Sequence, residues 1–437
     1  MKPILIYSPT ITERLRYILD FLWKSDYELT DSLEFFKKHN GPKISYANER
    51  TDEQSCWIKP GPLLLEEKIG QQKMEVSYWH DLPIFFQEDG DLPFDIFAAC
   101  FYLVSRYEEY LPYEKDRYGR FVATNALAFK EKFLHVPLAD LWFRQWETLL
   151  QKQFSDYVPT VSAFRYTPTF DMDVPFAFLH KPFYVQIAAL AKNIWKANKP
   201  VLQQQITTWL KKRPDPFDTF SLLELRMQQY RLRPVFFFPV AKKHGRYDKN
   251  PPQSNPAFQR LVKDAASLFE IGIHPSWQSG DSKALLFREK NYLEKISGKK
   301  ITKSRQHYIR MTLPDTYQNL IELGIGEDYS MGYGSISGWR ASTSRPFYWF
   351  DLSKNERTSL LVHPFCWMDA TAYHQAKDPP EKVYEDLLHC SRTIAQVGGE
   401  MITVMHNNYF SDTPDFVRYR EAMLRFWQNQ FSDSSVT

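Results

Sequence analysis

RYTPTFDMD, residues 165–173, is a strand candidate that ends in two carboxylates, which is typical of a strand followed by a functional turn. Further runs of the same kind follow it, and helical stretches lie between most of them. In chain order these runs are VFFFPV, FEIGIH, KITKSR, GIGEDYS, FYWFD, SLLVHPF and EMITVMH. The alternation of strand and helix predicts a parallel sheet, closed or nearly closed into a distorted (β/α) barrel of seven or eight strands.

The residues before this barrel have a pattern of their own. PILIY at residues 3–7 predicts a strand, and a helix should begin at Thr10, with Thr10 and Glu13 as a capping-box pair. The composition shifts at DYVPTVSAF, residues 156–164. Because 437 residues exceed what one core usually organises, we expect a smaller α/β domain at 1–155 and the barrel at 160–432. A helical insertion is expected at 183–231.

Composition restricts the functional classes. Lys and Arg number 55 and Asp and Glu number 52, without long basic blocks, so we expect no nucleic-acid partner. The sequence has no apolar run long enough for a membrane span, and its N-terminus is unlike a signal peptide, which favours a cytoplasmic protein. The four cysteines have no metal or redox spacing.

Polar side chains lie at the ends of the predicted strands. In parallel barrels the carboxyl ends of the strands meet at one rim, where active sites form. The residues at these ends are Asp171, Asp173, His274, Arg305, His307 and His406. Carboxylates and imidazoles together predict a site for zinc or a hard cation with an acid and a base beside it.

The order of these motifs matches a known family. TFD at 169–171 is followed by a Phe-rich strand at 235–238, EIGIH at 270–274, RQHY at 305–308 and VMH at 404–406. Over about residues 165–410 the chain resembles the polysaccharide deacetylases, carbohydrate esterase family four. As a whole it is similar to a branch known chiefly from Bacteroidetes-type bacteria, in which an extra N-terminal α/β domain precedes the deacetylase domain.

The resemblance implies a metal-dependent hydrolase that removes N-acetyl, or O-acetyl, groups from a sugar or glycan precursor. By resemblance, Asp171 is the general base, Arg305 orients it, and His406 is the general acid. Asp173 and His274 would be metal ligands. The implied cofactor is a divalent metal, zinc first with other divalent ions open, and the implied partner is an N-acetylated carbohydrate.

The sequence departs from the family at two places. Gln278 stands where the family has its second metal-ligating histidine, and glutamine is a poor zinc ligand. Our hypothesis is that His307 supplies the missing imidazole from the next strand end. Met172 separates the two carboxylates, so the sequence leaves open which of Asp171 and Asp173 is the base and which the ligand.

Further residues are candidates for substrate binding. The loop GWRASTSRPF, residues 338–347, carries two arginines and three hydroxyls and could bind a sugar, a carboxylate or a phosphate, or could be a salt-bridged structural loop. His363 and His244 are interpreted as structural. The expected substrate-binding residues are Arg340, Arg345, Trp277, Asp328, Asp369 and Asn407.

Two other functions remain open from the sequence. A decayed deacetylase barrel could bind carbohydrate or act as a scaffold, which the Gln278 departure favours; bound metal and acetate release would exclude it. A metal-free glycosidase with paired carboxylates is less favoured, because it leaves His274, His307 and His406 without a role.

Overall fold

The computed structural model describes residues 3–24, 26–160, 163–181, 183–242 and 246–432. Three β-sheets are present, of four, nine and two strands. The four-stranded sheet belongs to the N-terminal third, and the nine-stranded sheet spans the remainder. In the described residues, no helix is long and apolar enough to cross a membrane.

The N-terminal sheet is parallel, with strand order β2-β1-β3-β4. A separate hairpin pairs β5 with β6. The strands are β1 (Ile4–Tyr7), β2 (Tyr27–Thr30), β3 (Lys43–Tyr46), β4 (Cys56–Ile58), β5 (Ser77–Trp79) and β6 (Leu82–Ile84). The helices are α1 (Glu13–Trp23), α2 (Leu33–Lys38), α3 (Ile96–Val104), α4 (Leu127–Lys130) and α5 (Leu138–Gln153).

Helix α1 begins later than the sequence predicts. Its N-cap is Thr12, whose Oγ1 accepts the backbone N–H of Leu15 at 3.1 Å, so the prediction of Thr10 as the cap is wrong. Thr10 instead accepts the Ser8 hydroxyl on its carbonyl oxygen, which holds the chain in the preceding loop. The apolar face of the helix is fully buried and consists of Leu15, Ile18, Leu19 and Leu22.

The nine-stranded sheet has the order β12-β13-β11-β10-β9-β8-β7-β15-β14. Every pairing in it is parallel except β12 with β13. The strands are β7 (Arg165–Asp171), β8 (Val235–Phe238), β9 (Glu270–Ile273), β10 (Lys303–Ser304), β11 (Glu327–Met331), β12 (Phe347–Asp351), β13 (Glu356–Pro364), β14 (Trp367–Met368) and β15 (Glu400–His406).

The sheet is curled, and its connectivity explains why. Strand β13 pairs with β11 on one side of the sheet, whereas β14 pairs with β15 at the other end of the strand order. Only residues 365 and 366 separate β13 from β14. Two residues span roughly 7 Å at most, so the two ends of the sheet must come together.

Strand β12 corrects one expectation. The sequence predicts FYWFD as one more parallel strand, but β12 runs antiparallel to β13. Only residues 352–355 join the two strands. So short a connection can close a hairpin but cannot make the crossover that a parallel pair needs.

Helices surround the curled sheet, and the expected insertion at 183–231 is helical. It contains α6 (Phe183–Trp195), α7 (Lys199–Trp209) and α8 (Phe220–Gln229). The later helices are α9 (Pro256–Leu268), α10 (Lys283–Ser297), α11 (Asp315–Glu322), α12 (Pro380–Val397) and α13 (Val417–Phe431).

The N-terminal third packs against the β12 edge of the large sheet. Tyr17 and Phe101 lie with their ring centroids 4.9 and 5.2 Å from that of Phe350 on β12. The Tyr17 hydroxyl donates to the carbonyl oxygen of Tyr348 at 2.8 Å. One hydrophobic cluster therefore runs without interruption from the first helix to the last.

Candidate metal centre

Four strands within one parallel stretch of the large sheet bring the predicted polar residues to one rim. Asp171 ends β7 and His406 ends β15, and the two residues are paired in register. His274 directly follows β9, and Arg305 directly follows β10. Because neighbouring parallel strands end at the same edge, residues far apart in the sequence converge there.

Asp173, His274 and His307 form the centre of this cluster. The Nε2 atom of His274 lies 3.3 Å from Oδ1 of Asp173, and the Nε2 atom of His307 lies 3.4 Å from its Oδ2. Candidate ligand atoms of the three residues all lie within 4.8 Å of one another. Asp173 Oδ1 is buried and has no hydrogen-bond partner among the described residues. A carboxylate and two imidazoles in this arrangement fit a divalent cation such as zinc.

The Nδ1 atoms of both histidines are anchored away from the centre. His274 Nδ1 lies 2.6 Å from the carbonyl oxygen of Arg305, and His307 Nδ1 lies 3.1 Å from Oδ1 of Asp248. A carbonyl oxygen and a carboxylate only accept hydrogen bonds, so each Nδ1 carries the proton. When such an imidazole is neutral, its Nε2 has a lone pair that faces the centre, as a metal ligand requires.

Asp173 and the imidazoles beside it change one another's pKa values. Burial alone would raise the pKa of Asp173, but His307 and His274 hold it well below its ordinary value. Burial would lower the pKa of His307, yet Asp173 and Asp248 outweigh it and raise that pKa to about 9. Protons therefore compete with a cation for the same three side chains.

Asp171 is held by a buried arginine. Arg305 Nη1 donates to Asp171 Oδ1 at 2.9 Å, and Arg305 Nε donates to the carbonyl oxygen of Tyr329 at 3.0 Å. Asp171 Oδ2 lies 3.8 Å from Nε2 of His274 and 4.0 Å from Nε2 of His406. The guanidinium fixes one oxygen of the carboxylate and leaves the other facing the cluster.

His406 is oriented by Asp369. Its Nδ1 lies 2.6 Å from Asp369 Oδ1, and its backbone N–H donates to Oδ2 at 2.6 Å. Its Nε2 lies 3.7 Å from Oδ2 of Asp173. Burial disfavours the imidazolium, but Asp369, followed by Asp173 and Asp171, raises the pKa to about 10. At neutral pH His406 therefore carries a proton on the nitrogen that faces the site.

The cluster opens into a pocket of about 690 Å³ with an aromatic and basic wall. Tyrosines stand around it, and two exposed cations, Arg117 and Lys249, form no ion pair in the described part of the chain. No described residue of the insertion at 183–231 lines the pocket. The tyrosines and cations of the pocket wall are Arg117, Tyr118, Arg120, Tyr247, Lys249, Tyr308 and Tyr409.

Part of this wall comes from the N-terminal third, which sequence reasoning missed. Arg120 Nη1 donates to the carbonyl oxygen of Tyr308 at 2.6 Å, directly beside His307. Asp116 accepts the backbone N–H groups of Tyr118 and Arg120 at 2.8 and 3.0 Å, which closes a tight turn. The turn is visible in the sequence DRYG, residues 116–119, but nothing local indicates which distant residues it contacts.

The arginines of the loop 338–347 do not line this pocket, contrary to the prediction that they bind substrate. Arg340 is buried and donates to Glu109 at 2.8 and 2.5 Å. Arg345 donates to the carbonyl oxygen of Phe21 at 2.9 Å and borders a different cavity, where β7 and β15 begin. The salt-bridged structural interpretation therefore fits Arg340.

The other predicted substrate contacts also lie outside the pocket walls. Asp328 is buried and accepts the hydroxyls of Ser304 and Ser330. Asn407 Nδ2 donates to the carbonyl oxygens of Val174 and Phe217. Buried polar groups at strand ends satisfy one another here, which single residues in the sequence cannot reveal.

Asp369 and Trp277, which the sequence also predicts to bind substrate, lie behind residues that face the site. Asp369 holds His406, as described above. Trp277 stacks on Tyr247 with a centroid distance of 4.0 Å, so it supports the wall from behind. Gln278 is exposed in a short turn and does not line the pocket.

Two further histidines, His363 and His244, are interpreted as structural from the sequence. His363 lies 3.2 Å from carboxylate oxygens of both Glu327 and Glu400. His244 lies outside the described residues.

The comparisons with known proteins give a family for the first third only. Residues 4–155 match a family of unknown function, DUF7033. No curated protein matches the sequence significantly.

Among solved structures, the chain is similar to polysaccharide deacetylases at low identity. A protein assigned as one from Mycobacterium smegmatis is 14% identical with a TM-score of 0.40, covering 63% of this chain and 87% of that one. A carbohydrate esterase family four pseudoenzyme with restored activity is 9% identical, with a TM-score of 0.32 over 62% and 66%. The polysaccharide deacetylase of Bacillus cereus is 13% identical, with a TM-score of 0.29 over 63% and 95%. Likenesses of this strength do not transfer a function.

Proposed function

We propose that this protein is a metal-dependent carbohydrate deacetylase that hydrolyses N-acetyl, or O-acetyl, groups of a sugar or glycan precursor. One observation carries the proposal: a carboxylate and two imidazoles whose Nε2 atoms face it are flanked by an arginine-held carboxylate and a carboxylate-held imidazole. Ligands, base and acid for metal-assisted hydrolysis thus lie in one cluster.

Asp173, His274 and His307 would hold the cation. The partnerless Oδ1 of Asp173 and the two Nε2 lone pairs supply three donors of the types that zinc accepts. When bound, such a cation supplies a Lewis acid for the acetyl carbonyl and lowers the pKa of a coordinated water towards about 7.

His307 takes the place of the ligand that the family pattern would put at Gln278. Gln278 is exposed, whereas His307 is buried and its Nε2 faces Asp173. The two carboxylates also divide by their neighbours, since Arg305 donates to Asp171 and the histidines lie beside Asp173. This division favours Asp171 as the base and Asp173 as the ligand.

Asp171 would accept a proton from the attacking water. Arg305 holds its Oδ1 by a hydrogen bond and leaves Oδ2 facing the cluster. The oxygen of the water then bonds to the acetyl carbon, and acetate leaves when the carbon–nitrogen bond breaks.

His406 would protonate the departing nitrogen, or the oxygen of an ester. Asp369 keeps its Nε2 protonated and pointed at the site. Since an amine anion is a very poor leaving group, this proton transfer is needed for bond cleavage.

The pocket wall suits a sugar ring and its hydroxyls. Tyrosine faces pack against apolar faces of sugar rings, and the rim offers hydrogen-bond donors. We further propose that residues 1–155 and 160–432 are two domains, with the loop around Tyr118 of the first completing the pocket of the second.

The experiment is acetate release from a panel of N-acetylated and O-acetylated sugars and of lipid- and nucleotide-linked precursors. We expect release from at least one substrate, its loss with chelator, and its recovery with zinc. Carbohydrate binding without acetate release by the metal-loaded protein across the panel would instead indicate a decayed barrel.

A further inference from the structure

Helices α6 and α7 form a hairpin whose apolar side chains face outward. Trp195 is 84% exposed, Leu210 is 59% exposed and Ile194 is 58% exposed. On α6 the exposed apolar residues 187, 191, 194 and 195 share one face at helical spacing, and the exposed Lys192 lies beside them. Exposed apolar residues are ordinary when scattered, but a continuous stripe of them indicates a surface that something covers.

The inside of the same hairpin is polar. Gln205 and Thr208 on α7 are fully buried. Asn193 Nδ2 donates to Gln205 Oε1 at 2.9 Å, and Gln205 Nε2 donates to the carbonyl oxygen of Gln186 at 3.3 Å. Polar groups thus join the two helices while apolar groups point away, the reverse of a hairpin that packs on a protein core.

The charge of the hairpin is entirely positive. Residues 183–213 contain no Asp or Glu, although the chain has 52 of them and is nearly neutral as a whole. The cations are Lys192, Lys196, Lys199, Lys211, Lys212 and Arg213. Arg213 pairs with Asp412, while the five lysines form no ion pair in the described part of the chain.

We propose that the α6–α7 hairpin binds the surface of an anionic lipid bilayer. Trp195, Ile194 and Leu210 would enter the boundary between headgroups and acyl chains, and the lysines would lie among anionic headgroups. An apolar helix face flanked by lysines, with a tryptophan at its end, has the chemistry of helices that lie in the membrane interface.

The length of helix α6 favours binding on the membrane surface over spanning the bilayer. Helix α6 has 13 residues, so it is about 20 Å long, against roughly 30 Å for the hydrocarbon core. A second copy of this chain is a poorer occupant, because symmetrical contact would bring lysines against lysines. Membrane binding is independent of the deacetylase proposal, since the hairpin lines no wall of the described pocket.

The test is sedimentation of the full chain with vesicles. Vesicles of phosphatidylcholine alone are compared with vesicles containing one quarter phosphatidylglycerol, at low and high salt. We expect binding to the anionic vesicles only, weakened by salt, and quenching of Trp195 fluorescence by brominated acyl chains that disappears in Trp195→Phe.

Two double variants separate the contributions. Ile194→Ser with Trp195→Ser, and Lys192→Glu with Lys196→Glu, should each reduce partitioning at least about tenfold. The matched control is Phe287→Ser, which removes a 50% exposed aromatic on α10 and should bind as the wild type does. Circular dichroism checks that each variant is folded.

Several results would overturn the proposal. These are no binding of the wild type to anionic vesicles, equal binding to neutral ones, or an equal loss in the Phe287→Ser control. Conversion of a dimer to a monomer by the Ile194 and Trp195 substitutions would show that a second copy covers the stripe.

Discussion

For single residues, the neighbours at both ring nitrogens decide how an imidazole can act. A main-chain carbonyl anchors His274, so its Nε2 presents a lone pair to the cluster. Asp369 lies 2.6 Å from His406 Nδ1 and raises the pKa of His406 to about 10. The Nε2 atom of His406 therefore presents a proton to the site. Ligand and acid therefore differ through neighbours that their own sequence positions do not reveal.

Replacement of His307 tests the proposed third ligand. His307→Ala should lower zinc affinity by more than about a hundredfold, since loss of even an outer hydrogen bond to a ligand costs about 10- to 100-fold. Gln278→Ala is the matched control and should keep full occupancy, because Gln278 is exposed. Metal content after dialysis measures both. Unchanged occupancy in His307→Ala, or a loss in Gln278→Ala, would exclude this ligand set.

Replacement of Asp369 tests the proposed acid. Asp369 supplies the largest electrostatic stabilisation of protonated His406, so Asp369→Asn should lower the His406 pKa from its raised value towards the ordinary 6.5. An acid works only when protonated, so the alkaline limb of kcat against pH should move to lower pH by at least about one unit. A limb that stays in place would mean that His406 is not the acid.

At the scale of secondary-structure elements, the sequence predicts where most strands of the large sheet lie. It predicts less well how those strands pair and in which direction they run. Apolar runs in β8 at 235–238 and β15 at 400–406 are visible because a strand buried on both faces needs a largely apolar sequence. In β7 at 165–171, polar residues instead alternate with Tyr166, Pro168 and Phe170. The antiparallel direction of β12 depends on the length of the turn at 352–355 that joins it to β13. The Thr12 cap depends on which of two nearby threonines reaches a free N–H group, and composition does not distinguish them.

The turn at 115–121 is an element whose role only the folded chain reveals. Tyr118 stands in the pocket wall, with its ring centroid 5.5 Å from that of Tyr308. Tyr118→Ala should raise KM about three- to tenfold with little change in kcat, as expected for loss of binding common to substrate and transition state. Tyr78→Ala is the control, since Tyr78 is 67% exposed on β5. An unchanged KM, or a loss confined to kcat, would contradict the proposed contact.

For the whole molecule, buried charge joins the N-terminal third to the curled sheet. Glu109 accepts Arg106 Nε at 2.8 Å and pairs with Arg340 across the interface. Burial would raise the Glu109 pKa, but Arg340 and Arg106 keep it below its ordinary value. The sequence indicates acidic and basic residues here, but their pairing over 231 positions belongs to the tertiary fold.

Glu109→Gln should destabilise the whole chain, because it leaves two buried guanidinium groups without their shared anion. The free energy of unfolding should fall by about 3–5 kcal/mol in urea titrations. Glu381→Gln removes an exposed partner of Arg418 and should leave the free energy of unfolding unchanged within the error of the titration. Equal effects of the two substitutions would mean that the buried pair does not hold the molecule together.

The proposed function depends on one cation that Asp173, His274 and His307 would share. The most direct measurement is anomalous diffraction at the zinc absorption edge from crystals grown with zinc. We predict one dominant peak, bonded to the Asp173 carboxylate and both Nε2 atoms at about 2.0–2.2 Å. No peak at saturating zinc, or a dominant peak bonded to other side chains, would contradict the metal centre.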